Sequence, residues 1–211
     1  MDAAFIRAWL AKAGAEIETQ RDHLTQLDAA IGDADHGINL ARGFSAISAA
    51  LAQADTPTPG SVLILTGSTL ISKVGGASGP LYGMALRQAG KSLGDTADVT
   101  LPEVAASLEA ALAGVQKLGA AREGEKTMVD ALAPAVAALQ KSISEGSDAA
   151  AAFGAAARAA ADGAQATISM QALKGRASYL GPRSVGHEDP GAASTAIIIG
   201  ALRDVARRQE P

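Results

Sequence analysis

The sequence predicts an all-α protein, in which about eight amphipathic helices form one compact domain over residues 1–211. Apolar residues recur at helical spacing along almost the whole chain, so each segment can bury one face. Ala is abundant and aromatic residues make up only 3%, which favours helices that approach one another closely. Hydrophobic residues make up 48% and charged residues 19%, a balance typical of a globular protein.

Four helices are predicted in the N-terminal half of the chain. The first carries an apolar stripe from Phe5 to Ile17, and the second carries one from Leu40 to Leu51. The segment 61–74 is ambiguous, because the apolar run 62–65 would also suit a buried strand. Since no other segment offers that strand a partner, a helix is predicted there, and another over 79–93.

The fifth predicted helix has the clearest pattern, an apolar stripe over 101–118. Thr100 and Glu103 have the spacing of a capping box, which satisfies free backbone N–H groups at a helix start. Gly119 stands where a C-terminal cap is expected. This helix is therefore predicted with both of its ends.

Three further helices complete the C-terminal half. The stripe over 128–143 contains Pro134, so a kink or a later start is expected there. An Ala-rich helical stretch follows over 148–172, and the last helix is predicted over 191–208.

The charge and residue content exclude several classes of protein. The formal net charge is −4 and the pI is about 5.4, and no basic stripe interleaved with aromatic residues suggests a nucleic-acid partner. The sequence has no Cys, so disulfides and thiolate metal sites are excluded. The start of the chain does not resemble a secretory leader, and its apolar runs are far shorter than the about 20 residues that span a bilayer. A cytoplasmic protein without direct nucleic-acid or membrane contacts is expected.

Four connecting segments are rich in Gly and polar residues: 28–39, 74–80, 119–127 and 174–191. The last shows no periodicity and is long for a structureless loop in a compact domain. Such loops are usually functional or mobile.

Asp28, Asp33 and Asp35 stand close together in the first of these segments. Carboxylates at such spacing repel one another unless they are neutralised, and a hard divalent cation such as Mg²⁺ prefers oxygen ligands. An EF-hand is excluded, because its twelfth position would be Asn39 or Phe44 instead of Glu. Spacing alone leaves open a solvated acidic loop in which Asp35 caps a helix.

Neighbouring polar residues have less defined roles. His36 directly follows the third aspartate, although an isolated His in a loop is more often a cap or a surface residue. Asn39 could cap the helix or hydrogen-bond a ligand, and Arg42 could pair with the acidic segment.

Small residues over 75–79 precede a predicted helix, where free N–H groups can bind an anion. An ordinary helix–helix turn is the alternative, and the local sequence alone favours it. A phosphate-binding P-loop is rejected for 119–127, because Glu125 separates Gly124 from Lys126. In the segment 174–191, Arg176 suits bidentate contact with phosphate, although internal ion pairs of a surface loop are the alternative.

Four stretches together resemble the nucleotide-binding L subunits of bacterial dihydroxyacetone kinases. They read DAAIGDADHGIN (28–39), VGGASGPL (74–81), GEKTM (124–128) and MQALKGRASYLGPRSVGHEDPGA (170–192). Each is weak alone, but they follow the family's order and cover essentially the whole chain. The resemblance implies a barrel of eight antiparallel amphipathic helices with the nucleotide at one end.

The resemblance also implies roles for individual residues. Asp28, Asp33 and Asp35 would hold Mg²⁺, which bridges to the phosphates of ADP or ATP, and Arg176 would act with them in catalysis. The other residues expected to contact the nucleotide are His36, Gly37, Ile38, Asn39, Ala77, Ser78, Gly119, Met128, Glu188, Asp189 and Pro190. Met128 would form a wall of the base pocket, although its place in an apolar stripe also suits a core residue.

In this family, the sugar is bound by a separate K subunit. In the phosphotransferase-system version, ADP stays bound and is rephosphorylated by a phosphohistidine-carrying M subunit; in the ATP version the nucleotide exchanges. The loops resemble the first version, and no sugar-binding K domain is recognised, so the first is expected.

Two rival functions stay open on the sequence. One is a kinase subunit for a related ketose, and the other is a non-catalytic ADP-sensing protein that binds a transcription regulator. Whether the chain forms a homodimer is also open.

Overall fold

The computed structural model describes residues 1–208, and it contains α-helices and short 3₁₀ segments with no strand in that range. The all-α prediction is therefore confirmed. No helix within this range is long and apolar enough to cross a membrane. The α-helices, in chain order, are α1 (Ala3–Thr19), α2 (Arg21–Ile31), α3 (His36–Gln53), α4 (Pro59–Lys73), α5 (Ser78–Leu93), α6 (Leu101–Gly119), α7 (Val129–Ser144), α8 (Ala149–Ala166) and α9 (Pro190–Arg207).

Eight of these helices form a closed ring, which confirms the predicted barrel. Each of α3 to α8 packs against the next helix in the chain, and the ring closes because α1 packs against both α9 and α3. The short helix α2 lies outside this ring, against α3 and α9. Its position places the end of α2 beside the starts of α3 and α9.

Apolar side chains from all eight helices meet inside the ring and form its core. Phe5 of α1 stacks on Phe153 of α8 with ring centroids 6.4 Å apart. The indole Nε1 of Trp9 donates to the carbonyl oxygen of Ile198 at 2.8 Å, so the buried contact between α1 and α9 has its polar group satisfied.

Small residues bring α4 and α5 into close contact. A Cβ atom at Gly67 would lie 2.5 Å from the carbonyl oxygen of Gly83, and one at Gly83 would lie 2.7 Å from that of Gly67. Since real side chains do not approach so closely, the two helices pack at this distance only because both positions are glycine.

The sequence-based boundaries are right for most helices. The ambiguous segment 61–74 is helical up to Lys73, and the capping box of Thr100 and Glu103 is present. The C-terminal cap of α6 is displaced by one residue, because Gly119 is still helical and Ala120 takes the left-handed conformation with φ of 47°.

Two other expectations, those for Asp28 and for Pro134, are corrected. Asp28 lies in the last helical turn of α2 and not in a loop, and α2 as a separate helix was not predicted. Pro134 does not delay α7, which starts at Val129 and continues through it. Proline has no N–H group, so Pro134 cannot donate a hydrogen bond to the carbonyl oxygen of Asp130. This oxygen faces Gly163 of α8, and a Cβ atom at Gly163 would lie 2.1 Å from it.

The Ala-rich helix is shorter than predicted, because α8 ends at Ala166 and a 3₁₀ turn (Thr167–Ser169) follows. The segment 174–191 is also not structureless. It contains a 3₁₀ segment, Arg176–Ser184, which is interrupted at Gly181.

Candidate functional site

The three aspartates converge between the end of α2 and the start of α3. One carboxylate oxygen from each of Asp28, Asp33 and Asp35 lies within 4.8 Å of the others. The backbone reverses between the last two because Ala34 takes the left-handed conformation, with φ of 61°. Asp35 occupies the N-cap position of α3, but its side chain makes no capping hydrogen bond. Its carboxylate is therefore available to a ligand, unlike in the capping alternative.

The carboxylate of Asp28 is held by backbone groups of the same segment. Its Oδ2 accepts hydrogen bonds from the N–H groups of Asp35 at 2.8 Å and His36 at 3.2 Å. These bonds fix the buried carboxylate at the centre of the cluster. Three carboxylates around one point are an oxygen donor set that fits Mg²⁺.

Arg176 reaches the same cluster from the other side of the barrel end. Its Nε lies 3.1 Å from Oδ2 of Asp33. The pair joins the 3₁₀ segment to the acidic turn and places a guanidinium beside the cluster. Such a group is suited to bind phosphate oxygens.

A cavity of about 310 Å³ opens next to the aspartates. Its polar end contains the three aspartates and Arg176, and its other walls are largely apolar. The apolar and small lining residues include Ile31, Leu81, Val115, Gly119, Ala121, Met128 and Val129. An apolar pocket with a few polar groups at one end is typical of a small-molecule site.

Most of the sequence-predicted site residues line this cavity. They are Asp28, Asp33, Asp35, His36, Ala77, Ser78, Gly119, Met128, Arg176, Asp189 and Pro190. Met128 is buried and precedes the first residue of α7. Its side chain is thus a wall of the cavity and part of the core at once.

Four predicted residues lie outside the lining. Along α3, Gly37 is buried against the backbone of α2, Ile38 is 50% exposed, and Asn39 is buried with its Oδ1 accepting from Arg42 at 2.7 Å. Glu188 lines a separate surface groove between α1, α8 and α9. Successive helical residues point in directions about 100° apart, so only His36 in the first turn of α3 faces the cavity.

His36 connects the acidic segment to a buried hydroxyl network. Its Nε2 lies 2.8 Å from Oγ of Ser194, and that hydroxyl lies 2.7 Å from the hydroxyl of Tyr82. Tyr82 also contacts Oγ1 of Thr195 at 2.8 Å. Burial lowers the pKa of His36, although the charges of Asp28 and Asp35 oppose this effect. The network ties α3, α5 and α9 together beneath the cavity.

Asp189 stands at the N-terminus of α9 and faces the cavity. Its Oδ2 accepts from the N–H of Ala192 at 2.7 Å, and its own N–H donates to Oγ1 of Thr167 at 2.9 Å. Burial raises the pKa of Asp189 to about 7, although the hydrogen bond from Ala192 opposes this effect.

The sequence analysis missed three residues that build this end of the barrel. Lys126 lines the cavity and is 1% exposed. Asp130 is buried and accepts hydrogen bonds from the N–H groups of Gly124 and Thr127. Tyr82 was hidden in a helical pattern. The only available signal was the Gly-Glu-Lys-Thr run, in which a lysine stands in a glycine-containing loop without the P-loop spacing.

A comparison with known protein families identifies the domain family to which this fold corresponds. The model of the DAK2 domain matches residues 30–204. The chain belongs to the DAK2 domain family. The match includes Asp33, Asp35 and most of the residues that line the cavity, and it begins two residues after Asp28.

Several curated relatives of this DAK2 domain are bacterial kinase subunits. The chain is 42% identical over 199 residues to the ADP-binding subunit DhaL of the PEP-dependent dihydroxyacetone kinase of Escherichia coli (strain K12), covering 94% of this chain and 95% of that one. It is 40% identical over 201 residues to the ADP-binding subunit DhaL of the PTS-dependent kinase of Lactococcus lactis, covering 93% and 94%.

The DAK2 domain also resembles solved structures of a larger kinase. The dihydroxyacetone kinase of C. freundii superposes with a TM-score of 0.75 at 28% identity, over 95% of this chain and 34% of that enzyme. The same enzyme in complex with AMP-PNP and Mg²⁺ gives a TM-score of 0.74 at 30% identity. The chain therefore corresponds to about a third of that kinase.

Proposed function

We propose that this protein is the nucleotide-binding subunit of a phosphoenolpyruvate-dependent dihydroxyacetone kinase. It holds Mg²⁺ with ADP or ATP and transfers the phosphoryl group to dihydroxyacetone on a separate K subunit, and a phosphohistidine-carrying M subunit rephosphorylates the ADP. The observation that carries this proposal is the convergence of Asp28, Asp33 and Asp35 at one end of a largely apolar cavity.

The two ends of the cavity suit the two ends of a nucleotide. The apolar walls around Met128 and Leu81 suit a base, and the end with Arg176 and the aspartates suits metal-bound phosphates. Ser78, the first residue of α5, also lines the cavity, and the N–H groups at a helix start attract anions. The turn 75–77 thus supports phosphate binding through the backbone.

Phosphoryl transfer needs positioning and charge neutralisation more than it needs a nucleophile on the protein. Mg²⁺, when bound by Asp28, Asp33 and Asp35, supplies positive charge to the phosphate oxygens. Arg176 adds a second positive group, which the ion pair with Asp33 holds at the cluster. Of these groups, only the carboxylate of Asp28 is buried, which strengthens its interaction with a bound cation.

The relatives favour the phosphoenolpyruvate-dependent version over the ATP-exchanging version. Identity to the ADP-binding DhaL subunits is 40–42%, whereas identity to the triokinase/FMN cyclase of Rattus norvegicus is 38% and to the D-erythrulose kinase of Mycolicibacterium smegmatis is 36%. The partner subunits of the DhaL proteins are accordingly the expected partners of this chain.

Mass spectrometry of the purified protein, denatured to release ligands, tests the nucleotide assignment. We expect ADP to accompany the protein and to be lost slowly on dialysis. Rapid exchange of ATP for ADP, with turnover in the absence of a phosphohistidine donor, would contradict the phosphotransferase-system version.

Reconstitution separates the kinase from an ADP-sensing regulator. The protein is combined with a K subunit, dihydroxyacetone and a phosphohistidine donor, and the phosphorylated sugar is measured. Formation of the product at a rate that depends on this chain is expected. Tight ADP binding without any product would support the regulatory alternative.

A further inference from the structure

Lys126 is a buried cation at the cavity whose ammonium faces the protein backbone. The residue is 1% exposed. Its Nζ donates to the carbonyl oxygen of Thr167 at 2.6 Å and, over a short distance, to that of His187. One side chain therefore joins the segment before α7 to the turn after α8 and to the segment that leads into α9.

Both acceptors are directly linked to Asp189. His187 precedes it by two residues, and Oγ1 of Thr167 accepts the N–H of Asp189 at 2.9 Å. The backbone N–H of Asp189 is thus bound by the side chain of Thr167, and Lys126 binds the carbonyl groups of Thr167 and His187 in turn. No carboxylate oxygen of residues 1–208 forms an ion pair with Lys126.

The loop that carries Lys126 also organises two other walls. The carboxylate of Asp130 accepts from the N–H of Thr127 at 2.7 Å, which fixes the residue next to Met128. The carbonyl oxygen of Glu125 accepts a hydrogen bond from the N–H of Leu173 at 3.1 Å. This bond anchors the segment that leads to Arg176. The loop is therefore the common support of Met128, Asp189 and the segment of Arg176.

The backbone at Lys126 has a conformation that few side chains adopt, with φ of 60°. This region is unfavourable for a residue with a Cβ atom, so the surrounding contacts must outweigh its cost. Burial lowers the pKa of Lys126, whereas the charges of Asp189, Asp130 and Glu188 oppose this effect. The two carbonyl oxygens supply the hydrogen bonds that a buried ammonium needs.

We propose that Lys126 is a positioning residue for nucleotide binding: it fixes Asp189 and the wall of Met128 through the backbone, without contacting the phosphates. This inference rests on the proposed function, in that the ligand is an adenine nucleotide. The lysine of a P-loop binds phosphate directly. Lys126 lies in a loop without the P-loop spacing, and its proposed role is instead to bind backbone carbonyl groups.

Calorimetric titrations of Lys126→Met with adenosine and with Mg-ADP test the proposal. Because the cavity walls are displaced, both affinities should fall by a similar factor of about 10 to 100, the range typical of residues that orient a binding group from outside. The matched control is Lys141→Met, an exposed lysine of α7 that is paired with Glu145; its affinities should equal those of the wild type. A loss confined to Mg-ADP, or no loss, would overturn the proposal.

A double-mutant cycle with Asp189→Asn tests the route of the effect. If Lys126 acts through Asp189, Lys126→Met costs less nucleotide affinity in the Asp189→Asn background than in the wild type. Additive losses would contradict the coupling. Lys126→Arg, which keeps the charge and the donors, should restore most of the affinity; an Arg variant as weak as the Met variant would also contradict it.

Hydrogen exchange without nucleotide keeps the proposal separate from the nucleotide assignment. Amides of residues 187–192 should exchange faster in Lys126→Met than in Lys141→Met, with the other barrel helices unchanged. If the Met variant does not fold, Lys126→Gln is measured with the same expected direction. A wild-type protein that binds no Mg-ADP refutes the proposed function, while unchanged exchange refutes the role of Lys126.

Discussion

A Cβ atom at Gly32 would lie 2.0 Å from Oδ1 of Asp28. The buried carboxylate of Asp28, in the last turn of α2, therefore packs against the backbone of Gly32, the C-cap residue of that helix. Only a residue without a side chain leaves this carboxylate in its place beside the N–H groups of Asp35 and His36.

Gly32→Ala is expected to weaken Mg²⁺ and Mg-ADP binding by displacing the carboxylate of Asp28. The affinity loss should be about 10-fold or more, since small displacements of a binding group have effects of that order. Calorimetry measures it, and circular dichroism should show an unchanged helical content. Gly200→Ala is the control, because nothing lies within 4 Å of a Cβ atom there; equal binding by both variants would contradict the role of Gly32.

Asp33→Asn should abolish Mg-nucleotide binding and leave the fold intact. The substitution removes the negative charge of one metal-binding carboxylate and its ion pair with Arg176. The fold should tolerate this change, because it relieves the repulsion among the three carboxylates when no metal is bound. Binding is measured by calorimetry, with Asp22→Asn of α2 as an exposed control. Unchanged nucleotide affinity in Asp33→Asn would count against the metal assignment.

Ala34→Gly should raise the free energy of unfolding by up to about 1 kcal/mol, because glycine adopts positive φ without the steric cost that alanine bears. The φ of Ala34 is 61°. Urea denaturation without ligand measures the change. Ala29→Gly, at an exposed position within α2, should instead lower stability by about 0.5–1 kcal/mol. A destabilised Ala34→Gly variant would disprove the strain.

Asp189 should make stability depend on pH. Burial raises its pKa in the folded protein to about 7, whereas the unfolded chain loses this proton near pH 4. The folded state thus binds more protons between about pH 4 and 7, and the free energy of unfolding falls as pH rises through this interval. Asp130, Lys126 and Asp28 are the charged groups that act on it.

Asp189→Asn should therefore reduce the fall in stability between pH 5 and pH 7, measured by urea denaturation without nucleotide. The amide cannot titrate but can still cap α9. The matched control is Asp148→Asn, at the exposed N-cap of α8, which should retain the slope of the wild type. Identical slopes in the wild type and in Asp189→Asn would refute the prediction.

Gly83→Ala should destabilise the barrel by about 1–3 kcal/mol, the usual cost of overpacking. Its Cβ atom would lie 2.4 Å from Cγ1 of Ile71 and 2.7 Å from the carbonyl oxygen of Gly67, so α4 and α5 must separate. Thermal unfolding measures the loss. Stability equal to that of Gly200→Ala would show that the contact is not tight.

The sequence by itself determined the helical class, the limits of most helices and the acidic cluster. Apolar periodicity and capping residues act within a few turns, so they can be read locally; the capping box of Thr100 and Glu103 is an example. Asp28, Asp33 and Asp35 were found for the same reason, since only a short turn separates them. The family resemblance further indicated that the glycine-rich segments contribute to a single site.

Only the tertiary structure decided which distant segments meet. Helix α2 was not predicted because it buries only three residues, Leu24, Asp28 and Ile31. One of them is charged, so the apolar pattern is too short to indicate a helix. Lys126 contacts the backbone of Thr167 and His187, and His36 contacts Ser194. No local pattern encodes these contacts, because they join residues that are 41 to 158 positions apart and that meet only when the helices pack into the closed ring. The closure brings the start of α9 to the acidic turn and completes the cavity.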